Sequence, residues 1–345
     1  MPNKEVLLEV RNLKTYFPVK RKSLREEKKV VKAVDDLSIE IYQGETLGIV
    51  GESGSGKSTL GRTILKLNEP TSGEILFNGE PIQQLSGKAL QQFRNQMQMV
   101  FQDPYSSLNP RMRIGEIIEE PMKLQLSLTK QERKNRVKEL LEKVGLREDA
   151  IKKFPHEFSG GQRQRIGIAR ALAINPAFII ADEPVSALDV SVQSQVLNVM
   201  LDLQDELGLT YLFISHDLGV VKHISDRVAV MYLGRIVEVG EKKALYENPL
   251  HPYTQALLAA IPVVDFEKKR DSEPLKGDLP SPMDPPVGCV FHTRCPKAMP
   301  ICSEKRPELT NQNGHQKVAC FLYEDSIDAP KTGAGHAEDQ SVKSK

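Results

Sequence analysis

Residues 51–58 read Gly-Glu-Ser-Gly-Ser-Gly-Lys-Ser, and no other stretch constrains the fold as tightly. They fill every position of the phosphate-binding P-loop pattern. That pattern needs a strand before it and a helix after it. Thr46-Leu47-Gly48-Ile49-Val50 is a short apolar run suited to a strand buried on both faces, and a helix is expected from about Lys57. The glycines let the backbone curl so that successive N–H groups face phosphate oxygens. The helix N-terminus adds the positive end of its dipole. Lys57 is placed to reach the β- and γ-phosphates and Ser58 to ligate Mg²⁺. The candidate phosphate contacts are Gly51, Ser53, Gly54, Ser55, Gly56, Lys57, Ser58 and Thr59.

A second acidic site follows from residues 178–183, Phe-Ile-Ile-Ala-Asp-Glu. An apolar strand ending in two carboxylates puts them at the carboxyl edge of a parallel sheet, where open α/β folds bind ligands. Asp182 is the candidate Mg²⁺ ligand and Glu183 the candidate base that polarises a water for in-line attack. The rest of the chain supports an α/β core. Leu37, Ile39 and Ile41 alternate with Ser38 and Glu40 in a half-buried strand pattern, and residues 73–79 look like a strand bounded by turns. Residues 110–175 read as mostly helical, with capping-box spacing at Thr129 and Glu132 and a stop at Gly145. Strand 178–181, helix 192–207 and strand 211–215 then alternate, which predicts a parallel sheet.

With these motifs in place, Ser159-Gly160-Gly161-Gln162 is the deciding stretch. In this order and spacing the chain resembles the ATP-binding cassette (ABC) ATPases over about residues 5–250. Phe158 stands where the commonest signature has Leu. The resemblance implies an α/β P-loop NTPase with a RecA-like core, an antiparallel β subdomain and a helical subdomain at about 103–175, and it implies ATP with Mg²⁺ as ligands. Gln102 looks like the Q-loop residue that senses Mg²⁺ and the attacking water. Asp189 falls in the D-loop, His216 resembles the switch histidine, and Tyr16 resembles the adenine-stacking aromatic, with Phe17 the alternative. In this family the signature, here Ser159 to Gln162, binds the nucleotide held by the opposite subunit. A chain with one P-loop and one signature therefore completes a site only by pairing.

Beyond residue 250 the composition changes. Pro274, Pro280, Pro282, Pro285, Pro286 and Pro296 mark a loop-rich extension, taken as residues 251–325, and residues 326–345 are polar and expected to be disordered. His251-Pro252-Tyr253-Thr254-Gln255 and the 277–282 stretch resemble the oligopeptide/dipeptide permease ATPases, a group that includes nickel importers. That resemblance implies an ATPase energising peptide import, nickel or another small solute being the alternative cargo. It also implies partners: a second, related ATPase, two transmembrane permease subunits and an extracellular binding protein, with this chain peripheral at the cytoplasmic face.

Cys289, Cys295, Cys302 and Cys320 are the chain's four cysteines. They lack the paired Cys-x-x-Cys of common zinc sites. Four thiolates can hold a [4Fe–4S] cluster, and permease ATPases of this type are similar in carrying one here. Zinc or free thiols remain open. A cluster would cross-link an extension expected to have no core of its own.

Composition bounds the alternatives. In 345 residues, 47 Lys+Arg against 46 Asp+Glu leave a net charge of +1, which excludes nucleic-acid binding by bulk charge. Residues 20–32 concentrate seven Lys/Arg, read as a solvated loop or a contact with anionic lipid. The longest apolar run, residues 256–264, is far short of the ~20 residues of a membrane span, and no signal peptide is expected. Cytoplasmic, reduced thiols are therefore expected.

Overall fold

The computed structural model describes residues 5–19, 29–261, 277–312 and 314–324. The basic residues 20–28 and the tail expected to be disordered lie outside them.

Twelve strands among the described residues form two sheets. β1 (Val6–Pro18), β2 (Val30–Tyr42), β4 (Ser72–Phe77) and β5 (Glu80–Pro81) make an antiparallel sheet in the order β2-β1-β4-β5. The alternating residues of β2 behave as their pattern requires: Leu37, Ile39 and Ile41 are buried and Ser38 is exposed.

The second sheet is centred on β3 (Thr46–Val50), flanked by β8 (Thr210–Ser215) and β9 (Arg227–Tyr232), both parallel to it. β7 (Phe178–Asp182) pairs parallel with β8, and β6 (Met97–Val100) parallel with β7. All five residues of β3 and of β7 are buried, as strands covered on both faces must be. β10 (Arg235–Glu241) closes the other side as an antiparallel hairpin with β9.

Between β6 and β7 the chain forms the helices Ile114–Gln125, Lys130–Lys143 and Gly160–Leu172, with short 3-10 turns between the last two. Thr129 and Glu132 make the expected reciprocal cap of Lys130–Lys143. The helix after β7 starts at Val190, two residues before the sequence suggested, with Asp189 as its N-cap residue.

The extension differs from expectation. It is not coreless. β11 (Thr310–Asn311) and β12 (Gln316–Val318) continue the second sheet, β12 pairing antiparallel with β10. Tyr253, Val290 and Phe291 belong to the same buried cluster as β7 and β8 residues. Tyr232 of β9 packs edge-on against Tyr253 at 4.7 Å and against Phe291 at 5.3 Å between ring centroids. Proline-rich sequence hid this because the buried rings are spread over three short segments with no periodicity to read.

Candidate nucleotide site

Sheet order assembles the site. Neighbouring parallel strands β3, β8, β7 and β6 end at one edge. β3 delivers the loop at Gly51, β8 delivers His216, β7 delivers Asp182 and Glu183, and β6 leads to Gln102. Residues far apart in sequence meet because parallel strands align their carboxyl ends.

The loop depends on its glycines at two positions. Gly56 has φ +103°, and a Cβ there would lie 2.0 Å from the Ala33 carbonyl oxygen. A Cβ on Gly51 would lie 2.1 Å from the Met231 carbonyl oxygen. Lys57 is buried, and its Nζ donates to the carbonyls of Gly51 (2.7 Å) and Glu52 (2.9 Å) and lies 3.4 Å from Ser55 Oγ. Burial lowers the pKa of this ammonium, and the carboxylates of Glu183, Asp182 and Glu52 pull it back up.

Ser58 Oγ donates to Asp182 Oδ1 at 2.7 Å. Burial raises the Asp182 pKa, against the hydrogen bond from Ser58. A hydroxyl and a carboxylate side by side are hard oxygen donors of the kind Mg²⁺ prefers, and a cation there would relieve the cost of a buried carboxylate. The residues present fit the metal.

Glu183 has a left-handed backbone (φ +47°), and its N–H donates to the Ile214 carbonyl at 2.9 Å. A non-glycine residue held there costs about 1–3 kcal/mol and is typical of functional positions. Its Oε2 accepts from Gln102 Nε2 at 3.0 Å and lies 3.1 Å from His216 Nδ1. The three candidate catalytic residues therefore converge on one oxygen.

The signature lies elsewhere on the surface. Ser159 and Gln162 cap Gly160–Leu172 reciprocally: the Ser159 N–H donates to Gln162 Oε1 at 3.0 Å, and the Gln162 N–H to Ser159 Oγ at 3.4 Å. A Cβ on Gly161 would sit 2.2 Å from Val192 Cγ1, so only glycine lets this helix approach the one led by Asp189. Among the described residues no hydrogen bond joins Ser159, Gly160, Gly161, Gln162 or Asp189 to the phosphate loop. Ser159 and Gln162 are exposed, and the adjacent Val190 is 78% exposed.

Tyr16 donates its hydroxyl to Asp35 Oδ1. Asp35 also pairs with Arg235 (2.9 Å) and with Arg306 of the extension (3.4 Å). Burial and this bond push the Tyr16 pKa up to about 12. Phe17 is 38% exposed. No motif or spacing points to the Asp35 network, which spans residues 16 to 306.

The four cysteines carry no disulfide. Burial raises the thiols of Cys289, Cys295 and Cys320, the last to about 11, and each also feels neighbouring cysteines. The Cys289 N–H donates to the Cys302 carbonyl at 2.8 Å. The donor set fits an iron–sulfur centre in kind and number, but among the described residues no three His, Cys, Asp or Glu form a metal-holding group. In this conformation the cysteines are gathered without ligand geometry, which departs from the site expected from sequence.

Sequence reading missed Glu238. It is fully buried in β10, where its carboxylate accepts the N–H groups of Leu250 (2.9 Å) and His251 (2.8 Å). The signal was available as one acid inside the apolar run Ile236-Val237-Glu238-Val239.

Comparison with known proteins identifies the family. Residues 34–186 match the ABC transporter family, and residues 237–302 match the oligopeptide/dipeptide transporter C-terminal region. The chain is 57% identical over 324 residues to the oligopeptide transport ATP-binding protein AppF of Bacillus subtilis, covering 93% of this chain and 98% of that one. It is 54% identical over 324 residues to the oligopeptide transport ATP-binding protein OppF of Haemophilus influenzae, covering 92% and 98%. Among solved structures, the ATP-binding cassette MJ0796, in a dimeric post-hydrolysis state bound to ADP and Pi, is similar with a TM-score of 0.60 at 30% identity, covering 68% of this chain and 98% of that one. The chain belongs to the ABC transporter ATPases, in the branch that carries the oligopeptide/dipeptide transporter C-terminal region.

Proposed function

We infer that this chain is the ATP-hydrolysing subunit of an importer that takes oligopeptides across a membrane. The observation that carries the reading is the convergence of Gln102 and His216 on Glu183 beside the P-loop, in a chain that also has the peptide-transporter C-terminal region. The loop N–H groups and Lys57 hold the phosphates. Ser58, Asp182 and Gln102 hold Mg²⁺, which when bound neutralises the charge that develops on the phosphoryl oxygens. Glu183 takes a proton from the attacking water. Gln102 and His216 fix its carboxylate in place, and His216 contacts the γ-phosphate. Tyr16, its ring anchored through Asp35, offers the face on which adenine stacks.

The exposed signature and Asp189 serve the nucleotide of a facing ATPase, so ATP closes the pair by its differential affinity for the closed state. The stroke passes to membrane subunits, a reading supported by the match to the ABC transporter family; among the described residues no helix is long and apolar enough to cross a membrane. A groove of about 520 Å³ lined by Leu67 and Phe101, both exposed, is the proposed dock for a permease subunit, and the proposed location of the chain is the cytoplasmic face. A related ATPase, two permease subunits and an extracellular binding protein complete the assembly. The relatives' names favour peptide over nickel as cargo. Uptake of labelled peptide and of nickel, with and without this subunit, tests the reading. Nickel uptake that needs the subunit while peptide uptake does not would overturn it.

For the cysteines we propose a structural [4Fe–4S] cluster, supported by the four cysteines of the extension with no disulfide among them; holding it requires the thiols to rearrange from their present positions, where no three form a metal-holding group among the described residues. Anaerobically purified chain should be brown and contain iron. Colourless, iron-free chain would refute it.

A further inference from the structure

Besides the loop's own Ser55 N–H, which donates to its carbonyl at 3.2 Å, Glu52, the second residue of the phosphate loop, is held by three side chains. Its carboxylate receives Arg294 Nη1 at 3.1 and 2.9 Å. Its N–H donates to the Tyr253 hydroxyl at 2.9 Å. Its carbonyl accepts from Lys57 Nζ at 2.9 Å. Two of these three partners come from the extension, more than 200 residues away in sequence.

Both partners are rigidly seated. The Arg294 side chain is only 7% exposed and lies 5.9 Å from the Tyr232 ring centroid. The Arg294 backbone N–H donates to the Phe291 carbonyl at 3.0 Å, inside a turn that runs from Cys289 to Cys295. Tyr253 is fully buried against Tyr232 and Phe291. Leu279 Cδ2 lies 3.7 Å from where a Cβ on Gly54 would be, so the extension also lines the outer side of the loop.

We propose that the cysteine-bearing extension positions the phosphate loop, with Arg294 and Tyr253 acting as positioning residues through Glu52. The link to chemistry is short. Lys57 uses the Glu52 carbonyl as one of its partners, so a shift of Glu52 moves the ammonium that must meet the phosphates. Whatever rearranges the Cys289–Cys295 turn reaches nucleotide affinity through Arg294. This rests on the reading of residues 51–58 as the nucleotide site.

The test is equilibrium binding of trinitrophenyl-ATP to the full chain. Arg294→Met and Glu52→Gln should each raise Kd about tenfold. The double variant should raise it no further, because both singles remove the same contact. Arg294→Lys should recover part of the loss. Tyr253→Phe keeps the ring packing, removes the acceptor and should raise Kd about threefold, which keeps the proposal testable if Arg294→Met fails to fold. Kd within twofold of wild type in the folded single variants, or a double variant equal to the product of the singles, overturns the proposal. Lys57→Ala separates the two readings. If wild type does not bind, or Lys57→Ala binds as wild type does, the nucleotide site itself is wrong and the proposal falls with it. Normal wild-type binding, lost in Lys57→Ala but unchanged in Arg294→Met, removes the proposal alone.

Discussion

Glu183→Gln isolates basicity from geometry. In the structure a single oxygen, Oε2, takes both neighbours, with Gln102 Nε2 at 3.0 Å and His216 Nδ1 at 3.1 Å. A glutamine can set its amide oxygen in the same place and keep both contacts, so the side chain stays where it is. What it loses is the ability to accept a proton from water. General-base catalysis is worth about 10²–10⁴-fold, or roughly 3–5 kcal/mol of barrier. ATP affinity should hold within about threefold, because Lys57, Ser58 and Asp182 are untouched. Phosphate release from the transporter at saturating ATP measures the first quantity. Nucleotide binding by the full chain measures the second, and gel filtration with ATP should show pairs that persist. Turnover within about tenfold of wild type would refute Glu183 as the base. Loss of ATP binding together with turnover would refute the separation of base from phosphate contacts.

Gly161→Ala should push the signature helix off Val192, costing about 1–3 kcal/mol of stability and lowering ATPase activity. Adding Val192→Ala should restore most of both, measured by thermal melting and phosphate release. Burial lowers the His251 pKa to about 3. The native chain therefore keeps this ring neutral while the unfolded chain takes up its proton below about pH 6.5. Its contribution to stability is complete above that pH and declines at up to about 1.4 kcal/mol per pH unit as pH falls toward 3. Neighbouring Glu238, raised by burial, acts in the opposite sense, so denaturant midpoints of wild type and variant are compared from about pH 3 to 7 and the His251 part is read as their difference. His251→Gln retains an acceptor for the Tyr253 N–H and should flatten the slope there; an unchanged slope would refute the assignment. Gly56→Ala should abolish ATP binding by strain at φ +103° and collision with Ala33, which a nucleotide-binding assay reads directly.

Local chemistry made much of the nucleotide site legible in the chain. The phosphate loop is eight consecutive residues whose function depends on backbone curl, so its glycines, Lys57 and Ser58 declare themselves without a fold. Asp182 and Glu183 were legible because an apolar strand ending in carboxylates has few other uses. Ser159 to Gln162 carried their own helix cap. Tertiary structure decided what depends on distance through space. Sheet order alone brought Gln102, Glu183 and His216 to one oxygen, because parallel strands from separate stretches share an edge. Packing alone gave the extension its core, since Tyr253 and Phe291 meet Tyr232 of β9 from separate short segments whose pairing no spacing reveals. The Arg294–Glu52 pair belongs to the same class. An ion pair across 242 positions is set by where the backbone has already been carried, and a linear pattern holds no record of that.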